Sequence, residues 1–193
     1  MSSEGLKINP RKPAIPNGVV GMLFFVASEV MFFAALVSAY MILRAGVPVW
    51  PPWGQPRLPV TATAFNSLVL FASGFLLILA GKQFAMDKAG YKKTYILSLA
   101  AGAFFVIFQG YEWVGLINFG LTMTSSNYGG LFYLIIGTHA FHAVAALVCL
   151  VWLYPKFDTV EKESVQASLT TVKIFWLFVV GLWPVLYTTV YLL

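Results

Sequence analysis

The sequence predicts an all-α membrane protein, a bundle of five transmembrane helices, and three observations lead there. Of its 193 residues 60% are hydrophobic and only 10% charged, whereas soluble domains carry about 25% charged residues. The apolar residues fall in five runs, at about 18–44, 60–81, 95–118, 129–154 and 172–193. Each is long enough for a helix to cross a hydrocarbon core about 30 Å thick, and too long for a barrel strand. The cationic residues are also sorted. Three precede the first run (Lys7, Arg11, Lys12), four lie between the second and third (Lys82, Lys88, Lys92, Lys93), and three between the fourth and fifth (Lys156, Lys162, Lys173). Only Arg44 and Arg57 fall on the other side. The positive-inside rule then places the N-terminus in the cytoplasm and the C-terminus outside.

Residues 1–17 read as a cytoplasmic N-terminal segment and 18–193 as one five-helix transmembrane domain. The net charge of +5 expresses topology; no nucleic-acid partner is implied. Basic residues before an apolar run resemble a secretory signal, but this run is too long for a signal core and lacks a small-residue cleavage site, so it reads as a retained span. The single Cys149 lies inside the fourth run, which leaves no disulfide framework and no cysteine metal motif. No internal repeat is found.

The first run, GVVGMLFFVASEVMFFAALVSAYMILR, holds one carboxylic acid, Glu29, near its middle. An acid at a helix centre costs roughly 2.5–3.5 kcal/mol to insert, so Glu29 must face protein, polar lipid or a water-filled cavity. The following connection, GVPVWPPWGQPRLP, carries five prolines and two tryptophans and is expected to be stiff and extended. Trp50 and Trp53 fit an interfacial aromatic belt. The second run, with Thr61, Thr63, Asn66, Ser67, Ser73 and Gly74, has the small and polar residues that let membrane helices approach and hydrogen-bond.

The third run ends in QGYEWVGLINFG, where Gln109 and Glu112 stand one turn apart. Glu112 lies about 17 residues, roughly 25 Å, up the span. It is expected near the outer boundary beside Trp113, in reach of water or headgroups. The fourth run contains the only two histidines, His139 and His142, in GTHAFHAV. His139 is expected roughly 15 Å below the outer edge and Glu29 roughly 16 Å above the inner one, so contact of Glu29 with either histidine is geometrically possible. The stretch YPKFDTVEKESVQASL reads as an interfacial or cytoplasmic turn of helix, with no function assigned. The last run carries Trp176, Trp183 and Pro184, and the proline is expected to bend the helix.

Paired histidines three apart are a ligand type for metal or haem, but only Glu29 lies at a similar depth, and no haem-attachment cysteine pair is present. A polar helix-to-helix contact is the reading the residues favour. A proton-coupled transporter would use Glu29 and Glu112 as carriers, but transporters of that kind show repeats and broken helices. An enzyme with its own active site lacks a nucleophile–base pair or phosphate-binding motif here.

Taken together, FFVASEVMFFAALVSAYMILR, WPPWG, FNSLVLFASG, FQGYEW, NYGGLFYLIIGTHAFHAV and FWLFVVGLWPVLYTTVYL resemble, in order and spacing, subunit III of the haem–copper cytochrome c oxidases. The resemblance spans nearly the whole chain, and it is to the shorter, five-helix bacterial form, which lacks the first two helices of the seven-helix form. It implies that Glu29 is the family's intramembrane carboxylate, His139 and His142 its paired histidines, Glu112 its QxxE acid, and Trp176 and Trp183 its last-helix tryptophans. Where the family often reads WHFVDxVW, this chain has Leu177 for the histidine and Val180 for the aspartate, and it adds Pro184. A related chain of a quinol oxidase or a nitric oxide reductase therefore stays open as an alternative.

The resemblance implies no haem or copper on this chain, both being expected in partner subunits. It implies bound phospholipid and a place in the bacterial cytoplasmic membrane. Packing against the catalytic haem–copper subunit I, with subunit II as a further partner, is implied too, as is an accessory role in holding lipid and supporting proton uptake during oxygen reduction.

Overall fold

A computed structural model describes residues 16–53 and 55–193. Lys7, Arg11 and Lys12, with nearly all of the N-terminal segment, lie outside the described residues. Five long helices carry the chain back and forth: α1 (Asn17–Ala45), α2 (Val60–Ala85), α3 (Tyr91–Asn118), α4 (Asn127–Leu153) and, after the single turn α5 (Lys156–Thr159), α6 (Lys162–Tyr187). Each of the five is long and apolar enough to cross a membrane.

Local chemistry sets the ends. Pro16 and Pro59 stand immediately before α1 and α2, where a missing N–H costs nothing. Gly90, at φ 96°, turns the chain into α3 in a left-handed conformation suited to glycine. Ser126 caps α4 by accepting the Gly129 N–H at 3.0 Å.

The last helix differs most from the hydropathy reading. It begins at Lys162, not near 172, because KESVQASLTT is amphipathic: Val165, Leu169 and Val172 are buried at helical spacing while the residues between them keep the mean hydropathy low. Lys173 thus lies within the helix. The helical backbone continues through Pro184 and widens into a π-helical turn over Thr188–Leu192, a local adjustment of the kind that re-satisfies groups freed by a membrane proline.

The core lies between α2, α3, α4 and α6, and side-chain hydrogen bonds join three of these helices. Ser73 and Ser98 exchange hydroxyl-to-carbonyl bonds of 2.8 Å in both directions, and Asn66 donates to the Phe105 carbonyl at 3.0 Å, so α2 and α3 are joined along two turns. From α6, Trp176 donates its indole N–H to Ser73 (3.2 Å) and Trp183 donates to Ser67 (2.7 Å). Both rings are fully buried. Gly102 of α3 makes room for the first ring, because a Cβ there would lie 2.7 Å from Trp176 Cζ2. By contrast α1 leans on α6 and the edge of α4, burying only Val19, Phe33 and Tyr40.

At the end where α1 begins, Lys92 pairs with Asp158 and Lys162 with Asp87. These exposed ion pairs tie α5 and α6 to the α2–α3 corner and contribute little to stability.

Two outcomes follow from this packing. A Cβ at Gly129 would lie 2.3 Å from the Thr122 carbonyl oxygen, so Gly129→Ala is expected to cost about 1–3 kcal/mol as an overpacking change. Gly181→Ala, with nothing within 4 Å, is expected to be neutral or stabilising by up to about 1 kcal/mol; unfolding in mixed detergent measures both. With Cys149 replaced, single cysteines at Lys88 and Gln55 are expected to react with an impermeant thiol reagent from opposite sides of the membrane, and labelling from the same side would overturn the orientation argued from charge.

Candidate functional site

Glu29 sits midway along α1 and reaches towards α4, where its Oε2 lies 3.1 Å from His142 Nε2. The two side chains are only 18% and 10% exposed. The other ring nitrogen fixes what this contact means. Nδ1 is 2.8 Å from the Thr138 carbonyl, and a carbonyl only accepts, so the ring N–H is on Nδ1. A neutral His142 then offers Nε2 as an acceptor, and a bare carboxylate would leave Glu29 Oε2, a buried atom, without a donor. One proton between the two satisfies both atoms.

Four phenylalanine rings surround this imidazole, those of Phe25, Phe33, Phe141 and Phe175, with centroids 5.5–6.3 Å away. The pair also opens on one side to a groove of about 500 Å³ between α1, α4 and α6, walled by Phe25, Phe32, Phe141 and Ala145. At the other end of the same α1–α4 boundary a second groove, about 850 Å³, is lined by Ile42 and Leu43 of α1 and by Met123, Ser126, Asn127 and Leu131.

His139 takes a different partner. Three residues along an α-helix turn the side chain by roughly 60° relative to its neighbour, enough to send His142 to α1 and His139 into the bundle. There its ring is 1% exposed and stacks at a tilt against Trp183, 5.0 Å away.

Glu112 is remote from this pair: it accepts a hydrogen bond from Thr63 of α2 at 3.1 Å and lines a groove with Arg57 and Tyr111. Gln109, one turn earlier, is buried and donates to the Tyr191 hydroxyl at 3.0 Å. Trp113 packs edge-on against Tyr133. The two loop tryptophans part company, since Trp53 is 87% exposed while Trp50 turns inward. Trp50 donates to Tyr40 at 3.2 Å and stands edge-on to Tyr40 and Tyr128.

Leu177 and Val180 have an apolar task. Both point at Gly74 of α2, and a Cβ there would lie 3.1 Å from Val180 Cγ1 and 3.6 Å from Leu177 Cδ2. Residues not singled out from sequence complete the arrangement: Thr138 as the carbonyl that fixes the His142 tautomer, Tyr191 as the Gln109 acceptor, and Tyr40 as the anchor of the loop. The signal for the two tyrosines was weak, because aromatic residues in membrane helices are common; the Thr138 role rests on its backbone and leaves none.

Among the described residues no three His, Cys, Asp or Glu side chains gather to hold a metal ion. Fold and site together define a multi-pass helical membrane protein whose buried polar groups pair between helices. The whole chain, residues 1–193, matches the family model for cytochrome c oxidase subunit III. It is 36% identical over 186 residues to the probable cytochrome c oxidase subunit 3 of Mycobacterium leprae, covering 91% of this chain and 88% of that protein. It is 33% identical over 199 residues to that of Mycobacterium tuberculosis (99% and 97%), and 30% identical over 179 residues to cytochrome c oxidase subunit 3 of Synechocystis (90% and 74%).

The chain belongs to the cytochrome c oxidase subunit III family. It is a non-catalytic subunit of a haem–copper oxidase, multi-pass in the bacterial inner membrane and associated with other oxidase subunits.

Replacing one partner tests the Glu29–His142 contact. Glu29→Gln keeps a donor for His142 Nε2 and is expected to assemble at near the parent level. Glu29→Leu leaves Nε2 unpaired and is expected to cost about 1–3 kcal/mol, read as a lower unfolding midpoint. Equal loss in both variants would show that the pair does not matter as a hydrogen bond.

Proposed function

We propose that this chain packs against the catalytic, haem- and copper-bearing subunit I, with subunit II as a further neighbour, and that its α1–α4 cleft holds phospholipid beside a proton-holding pair that supports proton uptake from the cytoplasmic side. The observation that carries this reading is the Glu29–His142 pair at the wall of an apolar groove.

Phenylalanine and alanine walls suit acyl chains, and the hydroxyl and amide groups of Ser126 and Asn127 at the far end of the cleft suit a headgroup. A pair that holds one proton at zero net charge avoids the desolvation cost of an isolated ion in hydrocarbon. It can therefore keep a proton at membrane depth. The sorting of cations, ten on one side against Arg44 and Arg57 on the other, supports a cytoplasmic N-terminus. In that orientation Glu29 lies closer to the uptake side than Glu112 does.

Affinity purification of a tagged chain in mild detergent is expected to bring down a larger haem- and copper-containing membrane subunit, with the haem absorbance following the complex and none remaining with the separated chain. Purification of the chain alone, with proton flux of its own in liposomes, would favour a transporter instead. For the cleft, Ala145→Trp is expected to narrow the groove, to lower the phospholipid retained by the complex in native mass spectrometry, and to shorten its working lifetime at high turnover. Unchanged lipid content with an assembled complex would remove the lipid role.

A further inference from the structure

A second polar site lies deeper in the bundle and is separate from the Glu29–His142 pair. Between α3, α4 and α6 there is a largely enclosed cavity of about 120 Å³, lined by Phe105, Val106, Gln109, Trp113, His139 and Trp183 among others. Apart from Glu29 Oε2, which faces His142, eight buried side-chain polar atoms among the described residues have no hydrogen-bond partner, and four of them belong to residues that line this cavity: both ring nitrogens of His139, Oε1 of Gln109 and Nε1 of Trp113. His139 and Gln109 are 1% and 4% exposed. Polar groups left unpaired in a low-dielectric interior are costly, and native proteins answer them with protein partners or with ordered water.

The donor and acceptor balance selects the ligand. A neutral imidazole supplies one N–H and one lone pair, the indole supplies one N–H, and the amide oxygen accepts, so the lining offers two donors and two acceptors. No carboxylate, lysine or arginine lines the space, so it carries no charge to attract an ion. A lone imidazole with no further ligand does not make a metal site. An acyl chain would fill the volume but leave all four polar atoms unpaired. Water donates and accepts equally, and a buried water needs two to four polar partners.

We propose that this cavity is a hydration site, holding a cluster of about two to four water molecules at the roughly 30 Å³ that each occupies in the liquid, hydrogen-bonded to His139, Gln109 and Trp113. The cluster continues through the Gln109 amide to the Tyr191 hydroxyl, 3.0 Å from Nε2. Water thus gives His139 the hydrogen-bonding partners that α6 does not, since α6 presents it only the face of Trp183.

The test uses the assembled oxidase in its native lipid. Hydroxyl radicals generated from water by X-ray pulses label side chains that touch bound water, including buried ones. His139, 1% exposed, is expected to label roughly tenfold faster than Trp176, which is fully buried, pairs with Ser73 and does not line the cavity, as follows if water touches the first side chain and not the second. Labelling of His139 no faster than that of Trp176 would overturn the proposal. Ala140→Leu, which fills the cavity, is expected to bring His139 down to the Trp176 rate while exposed Trp53 is unchanged; persistence of the fast rate in an assembled Ala140→Leu complex would count against the site. Xenon pressure supplies an arm free of substitutions: an apolar dry cavity binds xenon and a hydrated one does not, so xenon density at His139 would also overturn it.

Discussion

The fold depends on how the buried N–H groups of two tryptophans are satisfied. An indole N–H in hydrocarbon has no water to turn to, so Trp176 and Trp183 of α6 must find acceptors on a neighbour, and they find Ser73 and Ser67 of α2. Ser73 is committed twice, since it also exchanges bonds with Ser98 of α3. One hydroxyl thus joins three helices. Such bonds contribute modestly one by one, averaging about 0.6 kcal/mol in a membrane protein. Their geometric effect is larger, because the rotation of α6 about its axis is set by two indoles seven residues apart. That rotation presents Val180 and Leu177 to Gly74 and Phe175 to His142.

With α2, α3 and α6 fixed, α1 and α4 complete the site. Helix α1 buries few of its residues, and its ties to the bundle include Phe25 and Phe33 against His142, Phe25 against Phe175, Tyr40 near the Val190 carbonyl, and Glu29 to His142. Its flank carries two grooves, and one of them opens where the polar pair stands. The same edge position that makes α1 a small contributor to the core leaves a groove open beside Glu29.

The two histidines illustrate how a motif divides its work. His142 meets an acid from another helix, whereas His139 is enclosed by α3, α4 and α6 beside Gln109 and Trp113. On α6, Val180 serves helix packing against Gly74 of α2. Among the described residues the cavity beside His139 is lined by Gln109 and Trp113 and by no carboxylate.

Class, span number and the presence of a buried acid were legible in the sequence, because run length and charge sorting answer to the bilayer alone and need no knowledge of neighbours. The motifs that resemble subunit III were legible for the same reason, being local and in order. Less was legible at the last helix, whose first turns alternate polar and apolar residues and fall below a hydropathy threshold although Val165, Leu169 and Val172 are buried. Depth along the membrane allowed Glu29 to meet either histidine; only the rotation of α4 against α1, fixed by packing, chose His142 and sent His139 to the interior. Trp50 and Trp53 look alike as belt residues in sequence, yet the closeness of Tyr40 and Tyr128 draws one inward and leaves the other exposed. Sequence by itself determines what must be buried in a membrane helix; which partner each buried polar group meets is decided by helix rotation and contact, a property of the whole bundle.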